Sequence, residues 1–371
     1  MEFHVPQTEF SAALALANAV ADRRVTGQPI LGNVLITARK DNNVEIAATD
    51  MTISIAEVVV AEVVKVGALT IGARYLHDVV KTLPKGKPLN VKAMENHWAR
   101  LSIGRSEFKL MGQAPADFPA LPSPKKSIKV AMVPVDALAE LVDKTVFSVS
   151  TDEARVNLNG ALIESDGKRA TMVTADSHRL TKLSLDLPGG PTLTRSVIIP
   201  RKGLLEIKRI LDRLGGGQVG VTVDGQHIFL QTDTMTLSVK LNNVVFPSYE
   251  QVIPKKYDRR VTADRAELVD MLTRAEVMAP EKTATVRVQL APGSMQITAD
   301  NPDLGVAHQE IEVEYQGDPL VAGFNARYML DILGACESQH VTLDFQGELD
   351  PCVIRPKEGS DYLGMVMPMR I

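Results

Sequence analysis

Two cysteines, Cys336 and Cys352, are all that this chain of 371 residues contains. Two thiols build neither a disulfide framework nor, by themselves, a four-ligand zinc site, and their scarcity fits a reducing compartment. Aromatic residues make up only 4%, with one tryptophan, which argues against a surface that binds mainly by stacking on bases. Neither sign of charge dominates, 41 Lys+Arg standing against 45 Asp+Glu for a net −4; a uniformly basic nucleic-acid coat protein is excluded. Long hydrophobic runs are also missing. The apolar stretch Ala12–Ala21 stops at Asp22, well short of the ~20 residues a bilayer span needs. The opening MEFHVPQTEF carries an acid early and does not read as a signal peptide. With 45% hydrophobic and 23% charged residues, the composition is that of a folded, soluble, cytoplasmic protein of two or three domains.

Motifs of chemistry are absent too. There is no HExxH, CxxC, GxSxG or GxxxxGK[ST], and no GxGxxG between a strand and a helix. No cofactor or metal site is expected. Among seven histidines, only His178 sits in a suggestive cluster, with Asp176 and Arg179 beside it. Asp176 orienting His178 would make an acid–base pair, as in a hydrolase; a polar turn after a strand is the plainer reading. Cys336 and Cys352 read as small buried apolar residues.

What the chain does contain is itself, three times over. Ala47-Ala48-Thr49-Asp50 is echoed by Val173-Thr174-Ala175-Asp176 and by Ile297-Thr298-Ala299-Asp300. The spacings, 126 and 124 residues, are close to a third of the chain. Tyr75–Val80, Gly203–Lys208 and Tyr328–Leu333 keep the same register, each after a short β-like run. Each third also opens with a strand leading into an amphipathic helix. The helical faces are Phe10, Leu14, Ala17 and Ala21 in Thr8–Asp22; Leu138, Leu141, Val142 and Thr145 in Asp136–Phe147; and Leu268, Met271, Leu272 and Ala275 in Asp264–Met278. Thr8, Asp136 and Thr262 are the expected N-caps. Ala120–Lys126 and Ile253–Asp258 read as linkers, which divides the chain into residues 1–124, 125–253 and 254–371. Phe118-Pro119 and Phe246-Pro247 close the first two units on the same corner. Gly215-Gly216-Gly217 reads as a helix stop. Many short alternating strands and two helices per unit make the fold class α+β, with helices on one face of the sheet.

Charge is patterned although it nearly balances. The helix Arg201–Leu214 carries Arg201, Lys202, Lys208, Arg209 and Arg213 against Glu206 and Asp212. Arg23 and Arg24, then Lys81, Lys85 and Lys87, lie at the ends of the first unit's helices, and Arg265, Arg274 and Arg327 on those of the last. Basic helices recurring in every unit point to duplex DNA held by its phosphates, without sequence readout.

Pro29–Leu35, Thr174–Leu180, Pro200–Gly203, Phe246–Tyr249 and the terminal Met367-Pro368-Met369-Arg370-Ile371 together resemble the bacterial DNA sliding clamps, the β subunits of DNA polymerase III, and the resemblance runs from Met1 to Ile371. It implies the DNA-clamp fold: three similar domains per chain, with two chains forming a dimeric ring of pseudo-sixfold symmetry around double-stranded DNA, antiparallel sheets outside and helices inside. No catalytic step is implied. The ring would tether the polymerase III catalytic subunit, and the clamp loader and other proteins with a clamp-binding motif would use the same docking place. That place, by resemblance, is an apolar cleft at Leu158, Thr174, Ala175, His178, Arg179, Leu180, Pro247, Val252, Met367, Pro368, Met369, Arg370 and Ile371. Arg24, Arg201, Lys202, Lys208 and Arg209 would face DNA. Phe108 and Leu110 would meet Val277 and Met278 of a second copy. Gln251 stands where the family can carry a basic residue, and Ala175 where it can carry Thr. Outside the family, a hydrolase using the Asp176/His178 corner and a protein-binding scaffold that never encircles DNA are the competing readings.

Overall fold

The computed structural model describes residues 1–22 and 27–371. Among the described residues, six α-helices alternate with antiparallel strands: α1 (Gln7–Val20), α2 (Ala73–Thr82), α3 (Val135–Asp143), α4 (Arg201–Leu214), α5 (Arg265–Val277) and α6 (Ala326–Ala335). Two fall in each third of the sequence, and they pack in pairs, α1 on α2, α3 on α4 and α5 on α6. The expected apolar stripes point inward, with Phe10, Leu14 and Ala17 of α1 and Leu268, Met271, Leu272 and Ala275 of α5 all buried. Alternation of period 3.6 on the helices and period 2 on the strands is what separates core from surface.

The helix starts differ from the sequence expectation. Thr8, Asp136 and Thr262 cap nothing. Helix α1 begins at Gln7 after Pro6, α3 at Val135 after Pro134, and neither has a side-chain cap. The fixed φ of proline suits the corner where a strand runs straight into a helix. Only α5 is capped from a side chain in this group, by Asp264, whose carboxylate accepts the Glu267 N–H at 3.1 Å. Helix α3 also ends earlier than expected, at Asp143, and a single 3₁₀ turn, Val146–Ser148, follows. At the end of α4, Gly215 takes φ +63° and its N–H returns to the Leu211 carbonyl, the left-handed stop that glycine permits.

By its internal contacts the chain forms two compact units, Met1–Met132 with Gln218–Leu241, and Val133–Gly217 with Asn242–Ile371. They cut across the middle third of the sequence because its strands join two different sheets. In the first unit, Ile53–Val60 pairs with Met235–Lys240, with Leu237 opposite Ile55. In the second, Arg179–Asp186 pairs with Asp361–Val366, with Leu180 opposite Met365. The two junctions are equivalent. Each uses the strand that follows the repeated Thr/Ala-Asp turn of one repeat and the last long strand of the next.

The repeated turn is built alike in the first two copies. Asp50 Oδ1 accepts the N–H groups of Thr52 (2.8 Å) and Ile53 (2.6 Å), and Asp176 Oδ1 accepts those of His178 and Arg179, both at 3.0 Å. The residue after each Asp is left-handed, Met51 at φ 71° and Ser177 at φ 79°. In the third copy the turn is longer, and Asn301 Oδ1 accepts the Asp303 N–H at 3.0 Å.

Among the described residues, the third copy of the junction strand, Gly305–Glu312, pairs only with Ser294–Asn301 and so ends its four-stranded sheet. Its counterpart among the closing strands, Ser106–Gln113, pairs with Trp98–Ile103 on one side, and on the other, among the described residues, only Gly112 and Gln113 meet Ile71 and Thr70. Ser106–Met111 therefore presents an open edge. Among the described residues no helix is long and apolar enough to cross a membrane.

Candidate functional site

The second unit brings together most of the residues expected to form a cleft. Leu158, Leu162, Val173, Leu180, Ile198, Phe246, Tyr249, Val353 and Met365 form one buried apolar cluster, with Ala175 and Ile253 packed against it. The Arg179–Asp186/Asp361–Val366 pairing carries Leu180 and Met365 onto the same patch. Pro247 and Val252 are exposed beside Phe246 and Tyr249, Val252 at 53%. Burial, then the neighbouring Glu164 carboxylate, pushes the Tyr249 phenol well above its ordinary range, so it stays neutral and accounts for its polarity by donating to Glu164 at 3.2 Å.

The last five residues are tied down by their backbone. Past the end of the sheet, the Met367 N–H donates to the His178 carbonyl at 2.8 Å, and the Met369 N–H to the Gly323 carbonyl at 2.8 Å. Thr285 Oγ1 lies 3.6 Å from the Met369 sulfur. A side chain at Gly323 would collide with Ile371 and with the Met369 carbonyl, which is why this approach needs glycine. Met367 and Ile371 are nonetheless exposed, at 37% and 57%, and Arg370 is exposed with them while Pro368 and Met369 are half-buried. Exposed apolar groups on a fixed backbone at the edge of an apolar cluster suit the docking of a peptide.

Two expected residues face elsewhere. The Thr174 hydroxyl points inward, donating to the Thr145 carbonyl at 2.7 Å and lying 2.8 Å from the Thr181 hydroxyl; it supports the strand pair beneath the patch. Arg179 is a strut. Its guanidinium donates through Nε to Asp176 (3.0 Å), pairs with Asp331 of α6, and reaches the Phe147 carbonyl. It also lies 4.3 Å from the centre of the Tyr328 ring and 5.5 Å from that of Phe147. With 11% of its side chain exposed, it clamps α6 and the Val146–Ser148 turn onto the turn that carries His178.

The Asp176/His178 pair does not have the geometry of an oriented base. The Asp176 carboxylate is taken by two backbone N–H groups and by Arg179, while the His178 ring stacks on Tyr328 at 6.3 Å and 24°. Cys336 and Cys352 are buried and free, and burial pushes the Cys336 thiol up to about 12, which removes it as a nucleophile at neutral pH. Beside the His178 turn lies a pocket of about 350 Å³ lined by Arg155, Arg201 and Tyr328 among others.

On α4, Arg201 and Lys202 occupy the first turn. Lys208 pairs with Asp143, which raises its pKa above the ordinary lysine value, and lies 3.5 Å from Asp212. Arg209 meets Glu206 at 2.7 Å. Arg213 stands in the last turn, and at the first turn the helix dipole adds to the positive charge of the side chains. Arg24 lies outside the described residues.

At the two open edges, Val277 is 72% exposed and Phe108 36%, with Leu110 and Met278 half-buried. Met111 (70%), Leu304 (64%) and Val306 (64%) add exposed apolar surface to these edges. Tyr328, Asp331, Phe147, Phe246 and Tyr249 are not among the cleft residues expected from sequence; the signals were the repeat landmark Tyr328–Leu333, which holds Tyr328 and Asp331, and the segment Phe246–Tyr249, which carries part of the resemblance.

Three family matches cover the chain in succession: the DNA polymerase III beta subunit N-terminal domain at residues 1–122, its central domain at 132–248 and its C-terminal domain at 250–370. The beta sliding clamp of Pseudomonas aeruginosa is 32% identical over the full length of both chains. That of Escherichia coli is 31% identical, covering 92% of this chain and 93% of its own. Among solved structures, the DNA polymerase III subunit beta from Pseudomonas aeruginosa superposes with a TM-score of 0.93 at 32% identity, covering 100% of each chain. The sliding clamp from Bacillus subtilis, at 24% identity, covers 100% of this chain and 99% of its own and shares the fold with a TM-score of 0.94.

Proposed function

The chain belongs to the DNA polymerase III beta subunit family, and from that premise we infer how it works as a DNA sliding clamp, a non-catalytic processivity factor in replication. Two copies close a ring around duplex DNA, and the ring tethers the polymerase by topology. The chain acts in the cytoplasm, with its three repeats bounded near residues 124 and 253.

The observation that carries this reading is the pair of open edges. Twice within the chain, the strand after the repeated Asp turn is paired by the closing strand of the next repeat. The third such strand, Gly305–Glu312, lacks this second partner among the described residues, and so does most of the first closing strand, Ser106–Gln113. A second copy supplies each missing partner by the same geometry. Unpaired edges are normally protected, and a head-to-tail contact that closes on itself leaves none exposed. Phe108 and Leu110 then meet Val277 and Met278 across each seam.

Binding to DNA rests on phosphate contacts from α4, mainly Arg201 and Lys202, with Arg24 in support. Partners dock a short peptide on the apolar patch bounded by Leu158, Leu180, Pro247, Val252 and the terminal Met367–Ile371. Methionine side chains repack around differing apolar anchors, which suits a site shared by the polymerase, the clamp loader and other partners. His178 forms a wall of this cleft, and Arg179 holds that wall in place.

Retention on DNA tests the ring. Clamp loaded on nicked circular DNA is expected to survive a high-salt wash and to be lost once the circle is cut. Equal loss from circles and linear DNA would remove the topological reading and leave a scaffold.

A further inference from the structure

The C-terminal half carries methionines at graded depth around the cleft. Met365 is 3% exposed and sealed in the sheet, whereas Met367, two residues on, is 37% exposed. Met369 is half-buried, with the Thr285 hydroxyl donating to its sulfur from 3.6 Å. Met172, Met271, Met295 and Met329 are all buried at 1% or less. The more exposed methionines Met51, Met94, Met111 and Met132 belong to the other compact unit. Met367 is thus the accessible thioether on the cleft side, and its backbone is held to the turn that carries His178.

We propose that Met367 is a reversible oxidation site, converted to its sulfoxide by a peroxide-class oxidant, and that the change releases partner peptides from the cleft. The inference rests on the cleft reading above. In the step, the sulfur lone pair attacks one peroxide oxygen and an S–O bond forms as the O–O bond breaks. The sulfur loses two electrons, the peroxide gains them, and the departing hydroxide takes up a proton to leave as water. The product is a polar, chiral group on a side chain that had been flexible and apolar. A docked apolar anchor would bury that oxygen beside Leu180 and its neighbours, where the patch offers little hydrogen bonding in exchange for water. The backbone N–H of Met367 is committed to the His178 carbonyl, which keeps the Cα of the sulfoxide beside the cleft. Affinity falls by about tenfold or more.

The test uses the full-length dimer, hydrogen peroxide, and a fluorescent peptide copied from the clamp-binding motif of the polymerase III catalytic subunit. Mass spectrometry locates the sulfoxides, and binding is measured before oxidation, after it, and after treatment with methionine sulfoxide reductases of both stereospecificities. The wild type is expected to lose affinity in step with Met367 sulfoxide and to regain it on reduction. The Met367→Leu protein, whatever affinity it starts from, is expected to keep the same value through oxidation. Loss of affinity in Met367→Leu equal to that of wild type, or full Met367 sulfoxide with unchanged binding, would overturn the proposal. A reduced wild type that never binds the peptide would instead remove the cleft reading, and this one with it.

Discussion

Replacing Arg179 tests whether the cleft wall is held from α6. Arg179→Ala removes the cation from Asp176, the ion pair to Asp331, the donor to the Phe147 carbonyl and the contact with the Tyr328 ring. Breaking one side of a buried pair costs about 3–5 kcal/mol. Two features reduce this here: the Asp331 side chain is 46% exposed, and Asp176 keeps two backbone N–H donors. A local loss of about 2–3 kcal/mol follows. If the cleft must be ordered to bind, its populated fraction falls and peptide affinity drops by about tenfold or more. Asp331→Ala removes only a half-exposed pair, worth about 0.5–1 kcal/mol and thus roughly two- to fivefold in affinity. The decisive assay is the double mutant, since two residues that act through one contact are not additive. Fluorescence anisotropy with a clamp-binding peptide should find Arg179→Ala/Asp331→Ala no weaker than Arg179→Ala alone. Additive losses, or an Arg179→Ala protein with wild-type affinity and normal thermal stability, would refute the strut.

Placing Glu at both Val277 and Met278 should desolvate charge at the seam and convert the dimer to monomer on gel filtration, with an accompanying change in the emission of Trp98, the sole tryptophan, which pairs with Met111 next to the open edge; an unchanged dimer would place the interface elsewhere. Neutralising Arg201 and Lys202 should weaken DNA association at low salt and flatten its salt dependence, with little effect on retention by circles, and a base-sequence preference would contradict it. Deleting Met367–Ile371 should abolish peptide binding yet leave the sheet intact, since its pairing stops at Val366; native affinity in the truncated protein would remove the tail from the site. The backbone N–H of Glu267 holds the Asp264 carboxyl below its ordinary value of 3.8. Its contribution is therefore present above about pH 4 and lost as pH falls through the lowered folded value. Asp264→Ala should melt earlier than wild type at neutral pH, and the gap measured by calorimetry should close in acid.

Much of the molecule was legible in one dimension. The helical stripes of α1 and α5, the stop at Gly215 and the strands around each Asp turn follow from patterns within a few residues, where side-chain period and backbone preference act. The repeat in the sequence announced three units of two helices each. Capping was read less well, because Pro6 and Pro134 turn strand into helix with no side-chain acceptor and Asp264 stands two residues past the Thr first chosen. For the cleft, resemblance supplied the residues without saying which way they point. Thr174 turns inward because Thr145 and Thr181 lie beneath it, and Arg179 is engaged by Asp331, 152 residues away. Likewise, only the fold shows that the middle third lends strands to two sheets and that two complementary edges remain open among the described residues. Local periodicity is written into the chain by steric and solvation preferences of neighbouring residues. Pairings between distant segments depend on which surfaces the folded repeats bring together, and no spacing along the sequence encodes that.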